Sequence, residues 1–516
     1  MLPVIAAVGL FVALLSWAFS SPVGSAPDDS YHLPTIWCSW GETELCQRDE
    51  TGSFMVPEKI AEVCFIQKPA VSASCTFLKT DEIVLSPHLE YSETDAARGG
   101  AEPVVLNGNA VYHRIMRTLA SSNLESAALS MRVMNALLAS VLFLVALYVN
   151  RGSVRRAVAL SWLVAIVPVG TFFVASTNPS GWAIAGIASY WAFLLAVLRS
   201  QGSSVVHRVV SVAGLLASAF IAVGARADAL VFIGGSTVAV VVLTWPQIRD
   251  KRAVKVGLAL LTAAIILLIA LTSVRDRLAR VIGGIGSTEG ADPRLVENGL
   301  NPTINHLVEL PSYLWALIGG QAPTFAFPTV YLRGLGWLDT SIPSITGVAT
   351  LVALVSVVVW GMGAYGWRKV VAVGIAFMTL CASIVLPLEG ANYGPTYVLQ
   401  PRYVLPMLFV VVGLAAIRPL ASGRPRLVAM VVIAMLMIVA NAAAQLASLH
   451  RYTNGESLPW MRLDMEPNWW WLGAPVGPTT VWFAGTVGFA VFAISVALIA
   501  RGGSDRRDRV AVEQTL

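Results

Sequence analysis

The segment Pro27-Asp28-Asp29-Ser30-Tyr31-His32 places two carboxylates and an imidazole directly after an apolar run, Leu2 to Phe19. Ionisable groups at a bilayer boundary are costly to place and are functional candidates by default. Further along, polar residues recur wherever an apolar run ends on the same side: Asn178-Pro179-Ser180, Arg226 with Asp228, Gly336-Trp337-Leu338-Asp339, and Pro401-Arg402-Tyr403. Arg132 sits just inside an apolar run near that side. Arginine forks bind phosphate bidentately and keep their charge, and a membrane-surface carboxylate can take a proton from an alcohol. Together these groups suit an enzyme that uses a polyprenyl-phosphate sugar. Asp28 or Asp29 would be the base, Asp28 being favoured, and the arginines would hold the lipid phosphate.

Several of these residues also have a plainer reading. Arg132 can snorkel to the interface. Arg226 and Asp228 can pair with each other as a cap on a short turn, and Asn178-Pro179-Ser180 is a turn on conformational grounds alone. Asp339 reads as structural, and His113 with Arg114 reads as a solvated approach to a helix. Trp469-Trp470-Trp471 reads first as an interfacial belt and second as a sugar-stacking surface.

The elements that must position these groups follow from composition. Of 516 residues, 56% are hydrophobic and 13% charged, and the mean hydropathy is +0.70. Soluble domains carry roughly 25% charged residues, so the expected fold is an all-α polytopic membrane protein. Runs long enough to span fall at 2–19, 129–149, 157–175, 181–199, 208–224, 229–245, 254–273, 343–365, 369–387, 403–418, 425–446 and 480–500, giving about 12 transmembrane helices. The first is read as a retained helix, not a signal peptide cut after Ala26, because it lacks a basic n-region. The stretch 304–330, broken by Pro311, Pro323 and Pro328, is expected to re-enter the membrane or form short helices. A net charge of +5 gives no reason to expect nucleic acid, since basic residues here serve topology.

Arg151, Arg155, Arg156, Arg199, Arg208, Arg249, Lys251, Arg252, Lys255, Arg368, Lys369, Arg418, Arg424, Arg426 and Arg501 lie in short connections on one side. The positive-inside rule makes that side cytoplasmic, with both termini inside and the plasma membrane as location. The large first loop, 20–128, is then extracytoplasmic, as are 274–342 and 447–479, and 501–516 is a disordered cytoplasmic tail. Four of the five cysteines, Cys38, Cys46, Cys64 and Cys75, lie in that first loop. An even set there points to two disulfides. Nearest-neighbour pairing is expected, with a zinc site as the weaker alternative because no tight C-x-x-C pair is present.

An acidic pair after the first helix resembles the signature of GT-C glycosyltransferases, polytopic enzymes that use lipid-linked sugars. More closely, Pro27-Asp28-Asp29 followed by His32, Gly336-Trp337-Leu338-Asp339 with Pro343, and Pro401-Arg402-Tyr403 with Pro406 resemble the predicted membrane protein family DUF2142. By position Asp28 matches the family's Asp, Asp29 its Glu, His32 its His, and Arg402-Tyr403 its Arg-Tyr. Asp29 shortens the family's Glu, Pro401 stiffens the place of its Gly, and the four-cysteine insertion is not a general family feature. The resemblance implies a GT-C-like architecture and inverting transfer, and it leaves a divalent metal ion open as cofactor. The implied partners are a polyprenyl-phosphate-linked donor, a cell-envelope glycan or glycolipid acceptor, and membrane lipids. Asp28 and Asp29 are the expected catalytic groups. His32, Arg132, Asn178, Arg226, Asp228, Asp339, Arg402 and Tyr403 are the expected substrate contacts. A transporter or flippase of a lipid-linked intermediate, or a non-catalytic envelope-assembly protein docking through its disulfide loop, are the rival readings.

Overall fold

A computed structural model describes residues 1–50, 52–86, 110–200, 203–248, 302–318, 322–323, 331–332, 335–364, 366–391, 400–419, 425–456, 463–464 and 467–502. The expected helix 254–273, Trp460 and nearly all of the C-terminal tail lie outside the described residues.

The chain is mostly helical. In order, the helices are α1 (Leu2–Phe19), α2 (Asp29–Cys38), α3 (Glu58–Ala61), α4 (Ala110–Met116), α5 (Leu124–Val149), α6 (Gly152–Ala165), α7 (Val167–Val174), α8 (Ser180–Leu198), α9 (Val205–Ala225), α10 (Ala229–Ile248), α11 (Pro302–Leu317), α12 (Ser344–Met362), α13 (Trp367–Ala391), α14 (Leu405–Ala416), α15 (Leu427–Thr453) and α16 (Pro478–Arg501). Nine of those described are long and apolar enough to cross a membrane, ten if α6 and α7 count as one broken span. The expected twelve therefore divide as follows. The run 157–175 is bent by 89° between α6 and α7. The run 403–418 forms only the 12-residue α14. The run 254–273 is not described. The remaining nine match spans.

The bend has a local cause. Val167 precedes Pro168, whose ring excludes the ordinary helical conformation from the residue before it, and Val167 adopts φ +34°. The break turns α7 so that Phe172 and Phe173 lead into the turn Ser176-Thr177-Asn178-Pro179. Of residues 304–330, those described belong to α11, with Pro311 inside it, and to the first strand of an antiparallel pair, Ala322–Pro323 with Tyr331–Leu332; the rest of that stretch lies outside the described residues.

α8 is the central helix, buried over 94% of its best window. α9, in contrast, turns Val205, Val209, Val212, Leu216 and Phe220 outward, as a helix edge bathed in lipid requires. Without a hydrophobic drive between helices in lipid, close association rests on small residues. A Cβ on Gly9 of α1 would meet the Gly488 carbonyl of α16 at 2.8 Å, and one on Gly361 of α12 would meet the Ala415 carbonyl of α14 at 2.2 Å.

The two ends of the bundle differ. At one, basic side chains cap helix C-termini. Lys369 Nζ donates to the carbonyls of Gly361 (2.7 Å) and Ile417 (2.6 Å), and Arg418 donates to that of Trp360 (2.7 Å). At the other lie the long connections. There Cys38 bonds Cys46 and Cys64 bonds Cys75, the nearest-neighbour pairing. The first loop also folds a three-stranded antiparallel sheet of β1 (Gln47–Arg48), β2 (Phe54–Pro57) and β3 (Ile83–Leu85).

Trp469 and Trp471 do not form an exposed belt. They are 2% and 4% exposed and pack with Phe65, Ala73 and Tyr452 in a second apolar cluster beneath the first loop. Aromatic rings are large enough to build a core where the loop alone offers few apolar residues.

Candidate functional site

The turn from Ala18 to Asp29 is held from every side. Helix α1 ends at Phe19 with carbonyls that lack intrahelical partners, and side chains from distant elements meet the carbonyls of this turn. Arg132 of α5 donates to the carbonyls of Ala18 (2.8 Å), Ser21 (2.6 Å) and Pro22 (2.6 Å) and to Ser25 Oγ (3.3 Å). Trp471 donates to the Phe19 carbonyl at 2.9 Å and Trp337 to that of Gly24 at 2.8 Å. Asn178 Nδ2 donates to the Pro27 carbonyl at 2.7 Å. Arg132 and Asn178, expected as substrate contacts, thus serve the backbone of the acidic turn. The Gly336-Trp337-Leu338-Asp339 motif serves it too, through its tryptophan.

Asp339 has a role of its own. Its carboxylate, 6% exposed, pairs with Arg451 at 3.2 Å. Arg451 also donates to the carbonyls of Phe65 (2.9 Å) and Val71 (2.5 Å). This pair ties the motif, α15 and the first loop together.

The two acidic residues face different surroundings. Asp29 is fully buried. It accepts the Ala26 N–H at 3.1 Å and the Thr177 hydroxyl at 3.0 Å. Burial raises its pKa to about 7, against the pull of Arg132. Asp28 stands at the N-cap of α2 with φ +64°, a left-handed conformation in which Asp and Asn are enriched among non-glycine residues. Its side chain is 42% exposed and contacts Arg402 Nη2 at 2.5 Å. Asp29 therefore anchors the turn, and Asp28 is the carboxylate available to a ligand.

The pH consequence has a definite sign. A carboxyl whose folded pKa lies above its unfolded value near 4 stabilises the fold most in its protonated form. That contribution is complete below about pH 4 and is lost as pH rises through about 7. Raising the pH from 5 to 8 should cost on the order of 2 kcal/mol of stability. Asp29→Asn should flatten this part of the melting-temperature profile, measured in detergent. An unchanged slope in the variant would assign the dependence elsewhere.

Around Asp28 the remaining groups converge. Arg402, 1% exposed, lies in a 3₁₀ turn, Pro401–Tyr403, just before α14. Its guanidinium lies 5.0 Å from the Phe173 ring centroid and 4.6 Å from that of Tyr403. Only Nη2 is engaged, with Asp28 and the Tyr403 hydroxyl (3.0 Å). Nε and Nη1 are buried without a hydrogen-bond partner among the described residues. Arg226, after α9, forms a bidentate pair with Asp228 through Nε (2.9 Å) and Nη2, reaches Ser180 Oγ at 3.4 Å, and stands 4.1 Å from the Tyr403 centroid. Tyr403 is thus flanked by two guanidiniums. Both push down the pKa of His32, which burial already lowers; it falls to about 3.

His113, read from the sequence as solvated, is 1% exposed. Its Nε2 lies 3.1 Å from His32 Nδ1. Arg114, its neighbour, is exposed. No sequence signal separated the two, because the contact joins residues 81 apart.

Asp28, His32, Arg226, Asp228, Arg402 and Tyr403 are thus brought together at the loop-bearing end of the bundle. Arg132, Asn178 and Asp29 hold the turn that presents Asp28, and Asp339 lies in a separate ion pair. Among the described residues no group of three or more His, Cys, Asp or Glu is arranged to hold a metal. Asp28 and Asp228 are each engaged by a guanidinium, so their charge is already compensated. This donor set does not suit a divalent cation. What the arrangement offers is a partly exposed carboxylate next to two guanidiniums, one with unmet donors: a site for an anion beside a proton acceptor.

No curated protein and no solved structure matches the chain. A family model described as a predicted membrane protein, DUF2142, matches residues 10–411, which include the acidic turn and the Arg402-Tyr403 pair, and the chain belongs to that family.

Proposed function

We propose that the protein is a GT-C-type membrane glycosyltransferase that moves a sugar from a polyprenyl-phosphate donor to a hydroxyl of a cell-envelope glycan or glycolipid. The observation that carries this reading is the contact of Asp28 with Arg402, 374 residues apart in sequence, beside a second guanidinium across Tyr403. Arg402 and Arg226 would receive the donor phosphate. Asp28 would take the proton of the acceptor hydroxyl as its oxygen attacks the anomeric carbon. The bond from that carbon to the phosphate oxygen breaks, and the polyprenyl phosphate leaves with its charge met by the arginines. The reading places the site on the extracytoplasmic face of the plasma membrane, with both termini inside. Basic caps at the opposite end of the bundle and disulfides at this one support that orientation.

A transporter would place ionisable groups near the bilayer midplane. In the described spans Asn441 and Gln445 of α15 are buried and neutral and hydrogen-bond to Trp17 and Ser16, and the buried Arg132 of α5 is engaged by the carbonyls at and after the end of α1. This favours the enzyme over the flippase. Purified protein given a radiolabelled polyprenyl-phosphate sugar and envelope glycan should move label to the glycan in a time-dependent way. Movement of intact donor across proteoliposome membranes without transfer would instead support the flippase.

A further inference from the structure

His32 lies one helical turn after Asp28, whose carbonyl accepts its backbone N–H at 2.8 Å, and its Nδ1 is occupied by His113. That leaves Nε2 as the only ring atom with which His32 can meet a ligand. A neutral imidazole carries one N–H, so the pair has two forms. Either His113 Nε2–H donates and His32 bears its proton on Nε2, or His32 Nδ1–H donates and Nε2 is a bare lone pair. In the second form a lone pair would confront the oxygen lone pairs of any anion held by Arg402 and Arg226. In the first, a hydrogen-bond donor is added to the two guanidiniums.

The frame around His113 is rigid. Tyr112, its neighbour on α4, donates to the Thr177 carbonyl at 2.7 Å, and Asn135 Nδ2 lies 3.5 Å from the Tyr112 hydroxyl. Thr177 also holds Asp29, so α4 is fastened to the turn that presents Asp28. Tyr31 packs edge-on against both imidazoles at 5.4 and 6.3 Å. Among the described residues Tyr31 and Tyr112 pack edge-on against the pair, the charges of Arg402 and Arg226 act on His32, and the Ser39 hydroxyl donates to the His113 backbone carbonyl at 3.4 Å. Among the described residues no carboxylate is bonded to either ring. Protonation of both rings is therefore opposed, and His113 in particular is held well below the ordinary histidine pKa by burial and by His32.

We propose that His113 is a positioning residue: it donates Nε2–H to His32 Nδ1 and so fixes His32 as an Nε2–H donor to the oxyanion bound by Arg402 and Arg226. The class of ligand, a lipid-linked phosphate monoester or diester, rests on the glycosyltransferase reading. The tautomer does not. A neutral imidazole held as a donor at a site of developing negative charge is an established device for electrostatic stabilisation.

The test begins on the unliganded wild-type protein. The chain has six histidines, so ¹⁵N-histidine labelling with assignment by His32→Gln resolves the His32 ring by NMR in detergent. A protonated Nε2 with an unprotonated Nδ1 at pH 7 is expected; the opposite tautomer overturns the proposal and leaves the glycosyltransferase reading intact. Binding of undecaprenyl phosphate is then measured for two variants. His113→Gln keeps an amide N–H near the place of Nε2 and should bind within about threefold of wild type, whereas His113→Leu removes the donor and should weaken binding roughly tenfold or more. Equal loss in both variants, or none in either, overturns the role of His113. Failure of the wild type to bind undecaprenyl phosphate, with the expected tautomer present, counts against the glycosyltransferase reading and against the ligand class, not against the tautomer.

Discussion

Asp28→Asn should abolish sugar transfer while leaving the protein folded. The expected loss is roughly 10²–10⁴-fold in kcat, the range over which a positioned general base acts. The substitution is unusually clean because of where the residue stands. Asp28 holds φ +64° at the N-cap of α2, and Asn tolerates that region where most residues do not. The Asn carbonyl can still accept from Arg402, so the contact across 374 residues survives in weakened form. Asp28→Ala would mix two effects: loss of the carboxylate and roughly 1–2 kcal/mol of backbone strain. A melting temperature close to wild type for Asp28→Asn, with label transfer lost, is the expected pair of results. Full transfer by a folded Asp28→Asn protein would remove Asp28 as the base. Asp29 could not then simply take its place, since its carboxylate is fully buried and bound to Ala26 N–H and Thr177.

The difference between these neighbouring carboxylates marks the boundary of what the amino-acid order reveals. Apolar runs and the cysteine set are local signals: they indicated a helical membrane bundle with two disulfides in the first loop, whereas the bend between α6 and α7 and the shortness of α14 were not read from them. Topology put Asp28 and Arg402 at the same end of the bundle, but their contact, across 374 residues, was not legible in the sequence. Which of Asp28 and Asp29 faces outward depended on a single left-handed residue and a hydroxyl 148 positions away. The role of Arg132 was hidden for a related reason: an arginine near a helix end reads equally as snorkelling or as ligand binding. Only the arrival of three carbonyls, one from the last turn of α1 and two from the turn after it, decides for a backbone-holding role. His113 looked solvated because it lies beside Arg114 in a segment read as a polar approach to a helix, and its contact with His32 of α2 comes from a residue 81 positions away. The tryptophan run looked interfacial by composition, yet the first loop needed rings to build a core under it.

Arg402→Lys should raise the KM for the lipid-phosphate donor roughly 100-fold, the effect of losing two charge-assisted hydrogen bonds worth about 1.5 kcal/mol each. Charge is retained, so the change isolates geometry. The guanidinium meets Asp28 and Tyr403 through Nη2 while Nε and Nη1 stay without partners among the described residues. One planar fork thus grips the base with one nitrogen and keeps two for a ligand. An ammonium is a compact point charge, and one that reaches Asp28 has no second edge to offer the phosphate. Nor can Arg226 compensate, because two of its nitrogens are engaged by Asp228. The variant should fold: Asp28 is 42% exposed, so weakening its pair strands no buried charge, unlike the loss of a partner in a dry interior. Steady-state kinetics at varied donor concentration, alongside Arg226→Lys, separate the two arginines. The larger KM effect belongs at Arg402, with kcat falling as well because Asp28 is no longer held in place. An unchanged donor KM in a folded Arg402→Lys protein would take Arg402 out of the phosphate site and leave it as a structural partner of Asp28.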